Sequence, residues 1–416
     1  MAKINHIVSL SFFLFLGWSL HGQDYPFSPE KYDFIQYSQN YFDFRGNSMK
    51  YYDRLFGKFN RLILKGEGQI QIFHFGDSHI QADFFPGEMR KRMQEFFQNT
   101  VSGRGFIFPY SVAKTNGPPD YKSSSSTNWE RCRNVSVSPV CELGVAGISI
   151  STLSNPADLS ISFNNSSYLL LTFNKIRIFY NIQEVSVHFS LSNFNGNIIE
   201  NHKVDEGYTE LLLDSYLDRI DLLITRTDSI NKPFILHGIS FENNDPGITY
   251  SSVGVNGADT RAFLKCTYFS KELQAINPDW IIISLGTNDA YAKSFDEQMF
   301  FTYYDSLLTK IRLVFPETPV LLTTPGDSYR GNKYLNPNNE KACKIIRLLA
   351  DKHHAAVWDF YMLMGGFGSI NQWNKNGLTN ADRLHLNRNG YILQGDLMFE
   401  AFVKAYDDFL ERNKSR

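Results

Sequence analysis

An excess of charge of either sign is missing from this chain: 41 Lys and Arg stand against 43 Asp and Glu, a formal net charge of -2. So balanced a chain has no electrostatic footprint for a nucleic-acid backbone or an anionic membrane surface. Long apolar runs are missing after residue 22, so nothing beyond that point is apolar enough to cross a bilayer. His, Cys and carboxylate clusters at metal-ligand spacing are missing too, and no metal is expected. Gly103-Arg104-Gly105-Phe106 has the glycines of a phosphate loop without its Gly-Lys-Ser/Thr ending, so it reads as a turn into a following unit. No internal repeat is present. Cysteine is scarce. Cys132, Cys141, Cys266 and Cys343 allow three pairings; Cys132 with Cys141 brackets a short loop, whereas Cys266 and Cys343 sit in apolar, helix-like contexts suited to buried thiols.

What is present is apolar and aromatic. Hydrophobic residues make up 43% of the 416, with 35 Phe and 22 Tyr, which argues against disorder and suits two or three folded units. Lys3 precedes an apolar run from Ile7 to Leu20, followed by Gly22 and polar Gln23 and Asp24. That is the pattern of a secretory signal over residues 1–22, the run being shorter than the ~20 apolar residues a spanning helix needs. Cleavage near Gly22 removes Lys3 and takes the formal charge from -2 to -3. The mature protein is then expected to be soluble, exported to the periplasm or secreted, and to meet an oxidising compartment.

Tyr52, Leu55, Phe59 and Leu62 recur at helical spacing between Met49 and Lys65, until Gly66-Glu67-Gly68 stops them. Gln69 to Phe75 then reads as a short buried strand, Gly76-Asp77-Ser78-His79 as a tight turn, and the stretch around Met89, Met93, Phe96 and Phe97 as a helix. The alternation resumes near Gly247. Strands at Ile248 to Val253, Trp280 to Ser284, Pro319 to Thr324 and Ala355 to Trp358 alternate with helices at Asp259 to Cys266, Phe295 to Phe315, Asn338 to His353 and Asn389 to Glu411. With Ile70 to Phe75, that predicts an α/β fold with a five-stranded parallel sheet and helices on both faces. Ser149 to Asn243 has another character: short alternating segments (LSISF, YLLLTF, VSVHFSL, DLLITR) read as an all-β insertion. Ser123 to Ser126 reads as a mobile loop.

Four short blocks carry chemistry. Gly76-Asp77-Ser78 lies between strand and helix, which puts the Ser78 hydroxyl at the carboxyl edge of the sheet and its amide at a helix N-terminus; a plain helix cap is the other use of these residues. Asn256-Gly257-Ala258 follows another strand, where an amide without a side chain can approach a substrate. Asn288, in Gly286-Thr287-Asn288-Asp289, projects an amide at the same edge. Asp382 and His385 are spaced by three, which suits an imidazole base and the carboxylate that orients it. A second Gly-Asp-Ser, at 326–328, also follows a strand, but no apolar-periodic helix comes after it, and a loop rimming the site is expected there. His74, inside a strand, reads as a satisfied core residue, and His79 either touches substrate or packs beside the turn.

In the order Gly-Asp-Ser, Gly, Gly-Thr-Asn-Asp, Asp-x-x-His, these blocks resemble those of the SGNH (GDSL-like) hydrolase superfamily, whose sheet is flavodoxin-like. The resemblance implies Ser78 as nucleophile, Asp382 and His385 as the rest of a triad, and the Ser78 amide, Gly257 and Asn288 as an oxyanion hole. The Gly-Asp-Ser-His form, the block HGISFENNDPGITYSSVGVNGAD and a β insertion between Ser78 and Gly257 resemble the Ape-type peptidoglycan O-acetylesterases. That implies a hydrolase domain in two halves, residues 23–110 and 246–416, around an inserted β-sandwich, residues 111–245, similar to a carbohydrate-binding module. The expected activity is a serine esterase removing O-acetyl groups from a glycan, above all muramic acid residues of peptidoglycan, through an acetyl-serine intermediate and without a cofactor. The alternatives are a deacetylase of another polysaccharide or small ester, a glycan O-acetyltransferase, and a non-catalytic glycan-binding protein.

Overall fold

The computed structural model describes residues 31–96, 102–137, 141–164, 171–228 and 232–414; the expected signal segment lies outside the described residues. Among the described residues, no helix is long and apolar enough to cross a membrane.

Period-two patterning organises the central sheet. Its order is Phe42–Phe44, Ala356–Trp358, Val320–Thr323, Trp280–Ser284, Gln69–Gly76, Gly247–Gly254. The last five are parallel, with the chain order 2-1-3-4-5 of flavodoxin-like sheets. Phe42–Phe44 adds an antiparallel edge strand that the sequence pattern does not reveal, three residues being too short to show a period. Ile70, Ile72, Trp280, Ile282 and Trp358 face one side, under helices Ser48–Lys65, Phe84–Phe96 and Arg388–Lys414. Phe73, Phe75, Ile281, Ile283 and Leu322 face the other, where Glu297–Val314 and Asn338–His353 cover them. Both faces are buried, as a parallel sheet requires.

Apart from the two-stranded hairpin Tyr329–Arg330/Tyr334–Leu335, the remaining strands form two antiparallel sheets. One runs Ile198–Lys203, Tyr208–Leu217, Phe173–Tyr180, Phe234–Glu242, Ile148–Thr152, Glu130–Arg133, with Gly105–Ile107 also on Phe234–Glu242; the other runs Tyr121–Ser124, Ala157–Phe163, Arg219–Arg226, Val187–Leu191. Phe163 meets Phe173 and Phe241, and Tyr180 meets Phe189, across their inner faces. Two local readings are corrected. Ser123 and Ser124 belong to a strand, and Ser126 is tied to Asp158 through its amide (2.9 Å) and hydroxyl (2.7 Å), so the segment is no free loop. Of the segment YLLLTF, residues 168–170 lie outside the described residues, and Phe173 opens the strand Phe173–Tyr180. Gly103 to Phe106 is not a turn: it leads into the strand Gly105–Ile107, with Arg104 fully buried.

Arg104 and Arg90 share Asp83 and Asp120 in a buried cluster of two cations and two anions, and both donate to the Tyr250 carbonyl. The apolar core is also continuous between the sheets, through Phe73, Phe106 and Phe179. Glu272, on helix Phe269–Ile276, accepts from the Val145 amide at 2.7 Å and pairs with His237 at 2.6 Å. At roughly 1.5–3 kcal/mol per buried large apolar side chain, baring this interface would consume most of a typical stability of ~5–15 kcal/mol. The antiparallel sheets are therefore part of the support of the parallel sheet.

Candidate active site

Gly76 ends its strand, and Asp77 at once caps the helix Ser78–Gln81, its Oδ1 accepting from the His79 amide at 2.9 Å. Only glycine fits at 76, since a Cβ would lie 2.4 Å from the Ser284 carbonyl oxygen. The turn sets Ser78 at the carboxyl edge of the sheet, with Oγ 3.0 Å from His385 Nε2. His385 Nδ1 lies 2.7 Å from Asp382 Oδ2. An ionised carboxylate only accepts, so Nδ1 carries the proton and Nε2 is left to accept from Ser78. Asp382 Oδ1 takes the Leu384 and His385 amides, each at 3.0 Å. Burial pushes the Asp382 carboxyl up, but these bonds, led by that from the His385 ring, outweigh it and hold the group below the ordinary carboxylate range. Such a chain can draw a proton from hydroxyl to imidazole while the imidazolium is stabilised.

Ser78 and His385 line an open cleft of about 480 Å³ together with Gly257, Asn288, Asn116, Phe84, Arg388 and Tyr391. Gly257 has φ +84 with nothing within 4 Å of where a Cβ would be, so its glycine serves backbone conformation rather than space. The Ser78 and Gly257 amides donate to no group among the described residues. Asn288 Nδ2 donates to the Ala258 carbonyl at 3.0 Å and to Asp77 Oδ2 at 3.2 Å. It can therefore turn toward an oxyanion only by giving up one of these bonds. Burial above all pushes the Asp77 carboxyl up to about 7, and nearby Asp289 adds to this.

Supporting residues came from positions without a local sequence signal. Gln81 donates to Thr115 Oγ1 (3.0 Å) and the Asn116 carbonyl (2.6 Å) and accepts from the Asn256 amide (2.7 Å), so it ties the Ser78 helix to the loop carrying Gly257. Asp289 accepts from Thr260 Oγ1 at 2.7 Å, joining the helix Thr287–Tyr291 that carries Asn288 to the segment just after Gly257. His79 packs rather than facing the cleft: its ring stacks on His385 at 5.1 Å and pairs through Nδ1 with Tyr391 Oη at 2.8 Å. Burial pulls its pKa down to about 3, so it stays neutral beside His385. His74 bonds Tyr250 Oη at 2.9 Å and Ser284 Oγ at 2.7 Å, a satisfied core residue as expected. Cys132 and Cys141 are bridged, and Cys266 and Cys343 are buried thiols.

Residues 232–393 match the GDSL-like lipase/acylhydrolase family. That stretch of the chain resembles GDSL-like hydrolases. The chain is a carboxylic ester hydrolase, and its likeness to the Ape-type enzymes is one of fold. The matched stretch holds Gly257, Asn288, Asp382 and His385 but not Ser78, which the antiparallel strands separate from it in sequence and which the pairing of Gln69–Gly76 with Gly247–Gly254 returns to it in space. The hydrolase is similar in fold to a solved peptidoglycan O-acetylesterase, with a TM-score of 0.67 and 19% identity over 91% of this chain and 99% of that one. A GDSL-like lipase from Parabacteroides merdae (20% identity, 38% of this chain, 72% of that one, TM-score 0.31) and an acetylxylan esterase from Geobacillus stearothermophilus (18%, 39%, 74%, 0.29) resemble a smaller part. Comparison with curated proteins found no match.

Proposed function

We propose that this esterase removes O-acetyl groups from muramic acid residues of peptidoglycan. The observation that carries the reading is the unbroken chain Ser78 Oγ, His385 Nε2, His385 Nδ1, Asp382 Oδ2, at 3.0 and 2.7 Å, opening on a cleft. Ser78 attacks the acetyl carbonyl as its proton passes to His385 Nε2. The tetrahedral oxyanion accepts from the Ser78 and Gly257 amides and from Asn288 once that side chain releases one of its present acceptors. His385 then protonates the departing sugar oxygen; a water, deprotonated by the same imidazole, attacks the acetyl-serine carbonyl, and His385 returns that proton to Ser78 Oγ as acetate leaves. No step calls for a cofactor.

The glycan is supported by similarity to a peptidoglycan O-acetylesterase over nearly all of both chains, antiparallel sheets included. In this reading residues 23–110 and 246–416 form the hydrolase domain, and the sheets of 111–245 are an inserted, carbohydrate-binding-module-like unit that engages the polymer. Export to the periplasm or beyond is supported by the Cys132–Cys141 disulfide, which persists in oxidising compartments. Acetate release from O-acetylated peptidoglycan, acetylated xylan and a small aryl acetate tests the substrate: the highest kcat/KM is expected on peptidoglycan, and a preference for xylan overturns that assignment.

A further inference from the structure

The sequence holds a second Gly-Asp-Ser that the site above does not use. It is firmly rooted: Asp327 Oδ2 accepts from the Ile370 amide at 3.0 Å, Ser328 Oγ from Asn339 Nδ2 at 2.9 Å, and the Ser328 carbonyl from the Asn336 amide at 2.9 Å. From this root springs a hairpin, Tyr329–Arg330 paired with Tyr334–Leu335. The hairpin lies against the turn that carries Asp382 and His385. Tyr329 donates its amide to the Arg383 carbonyl at 2.8 Å, and Arg383 Nη2 donates to the Asn332 carbonyl at 2.6 Å. The Arg383 guanidinium lies over the Tyr329 ring, 3.6 Å from its centre, and the Tyr329 hydroxyl is fixed by Asn371 at 3.0 Å.

Arg383 stands between the carboxylate and the imidazole with φ +49, a left-handed conformation that residues other than glycine keep only when their surroundings over-determine it. That conformation aims the Leu384 and His385 amides at Asp382 Oδ1. If Arg383 relaxed to negative φ, those amides would turn away and the imidazole would move with them. A misplacement of about 1 Å can cost a reaction up to ~100-fold. We propose that the second Gly-Asp-Ser and its hairpin brace the Asp382–His385 turn, with Tyr329 and Arg383 as positioning residues for the His385 imidazole. The proposal rests on the reading of Ser78, Asp382 and His385 as the reacting set.

The test measures kcat and KM of the full chain on a small aryl acetate for Tyr329→Ala, Tyr329→Phe and Arg383→Gly, beside Ser78→Ala and His385→Ala. Arg383→Gly suits the left-handed backbone and is expected to fold even where Tyr329→Ala does not. Tyr329→Ala and Arg383→Gly are expected to lower kcat about tenfold with KM within about twofold, while Tyr329→Phe, which keeps the ring under the guanidinium, restores wild-type kcat. With Ser78→Ala and His385→Ala inactive, an unchanged kcat in Arg383→Gly, a loss confined to KM, or a Tyr329→Phe as slow as Tyr329→Ala overturns the brace. Full turnover in Ser78→Ala or His385→Ala overturns the reacting set, and the brace with it.

Discussion

Gly76-Asp77-Ser78 and Gly326-Asp327-Ser328 are the same tripeptide at the same edge of one sheet, yet only the first presents its hydroxyl to a histidine. The difference begins where the strand stops. Gly76 is the last residue of its strand and Ser78 the first of the following helix, so the hydroxyl is lifted over the edge. After Val320–Thr323, Thr324 and Pro325 intervene, and Ser328 is carried inward until it is 2% exposed and bonded to Asn339. Both aspartates are buried, and burial pushes Asp77 up to about 7 and Asp327 to about 6. Both turns border one small cavity of about 40 Å³. A motif's chemistry is thus set by its offset from the strand end and by the helix or hairpin it leads into, not by its letters.

The sharpest way to break this comparison is to remove each hydroxyl. Ser78→Ala is expected to lower aryl acetate turnover at least ~1000-fold, and Ser328→Ala by less than about twofold, since its hydroxyl only accepts from Asn339. Comparable losses would place Ser328 in the reaction. Asp382→Asn comes next: kcat is expected to fall at least ~100-fold with the melting temperature kept, because the amide presents the wrong partner to His385 Nδ1. Full turnover in that variant would remove Asp382 from the site.

The glycines sharpen the comparison in stability rather than rate. A Cβ at 76 meets the Ser284 backbone oxygen at 2.4 Å, whereas one at 326 meets Met364 Sδ at 2.8 Å, the end of a side chain that can swing aside. Gly76→Ala is therefore expected to cost roughly 1–3 kcal/mol in urea unfolding and Gly326→Ala less; the reverse order would mean that the first turn is the looser one. The smallest effect concerns pH. Asp327, raised from 3.8 to about 6, keeps its proton in the fold while the unfolded chain loses it. Its contribution to stability is complete below pH 3.8 and is lost as pH rises toward about 6. Asp327→Asn is expected to gain thermal stability relative to the wild type between pH 4 and 6, and a difference that is flat across this range would place the charged carboxylate in a better-solvated setting.

Much of this was legible in the sequence, and the reasons differ by region. Trp280–Ser284, Val320–Thr323 and Ala356–Trp358 are short apolar runs, Gln69–Gly76 and Gly247–Gly254 are bounded by glycines, and the helix Asn338–His353 falls where its periodicity ends. Ser78, Gly257, Asn288, Asp382 and His385 all reach one neighbourhood because each comes after a strand end or a turn that local chemistry marks. The features that escaped depend on contacts between distant segments. Arg104 carries no local sign that it belongs in a buried cluster with Asp83, Asp120 and Arg90. Gln81 reads as an ordinary helical residue until Asn116 and Asn256 come to it. Phe106 gives no hint that its ring joins the antiparallel core to the parallel sheet.

The claim that Ser78 alone of the two is the nucleophile is tested most directly by covalent capture. The full chain is treated with a fluorophosphonate, digested, and its serine adducts mapped by mass spectrometry. The geometry predicts one adduct, on the peptide containing Ser78, abolished in His385→Ala because the hydroxyl then lacks its base. An adduct on the peptide containing Ser328, or labelling of Ser78 undiminished without His385, would contradict it.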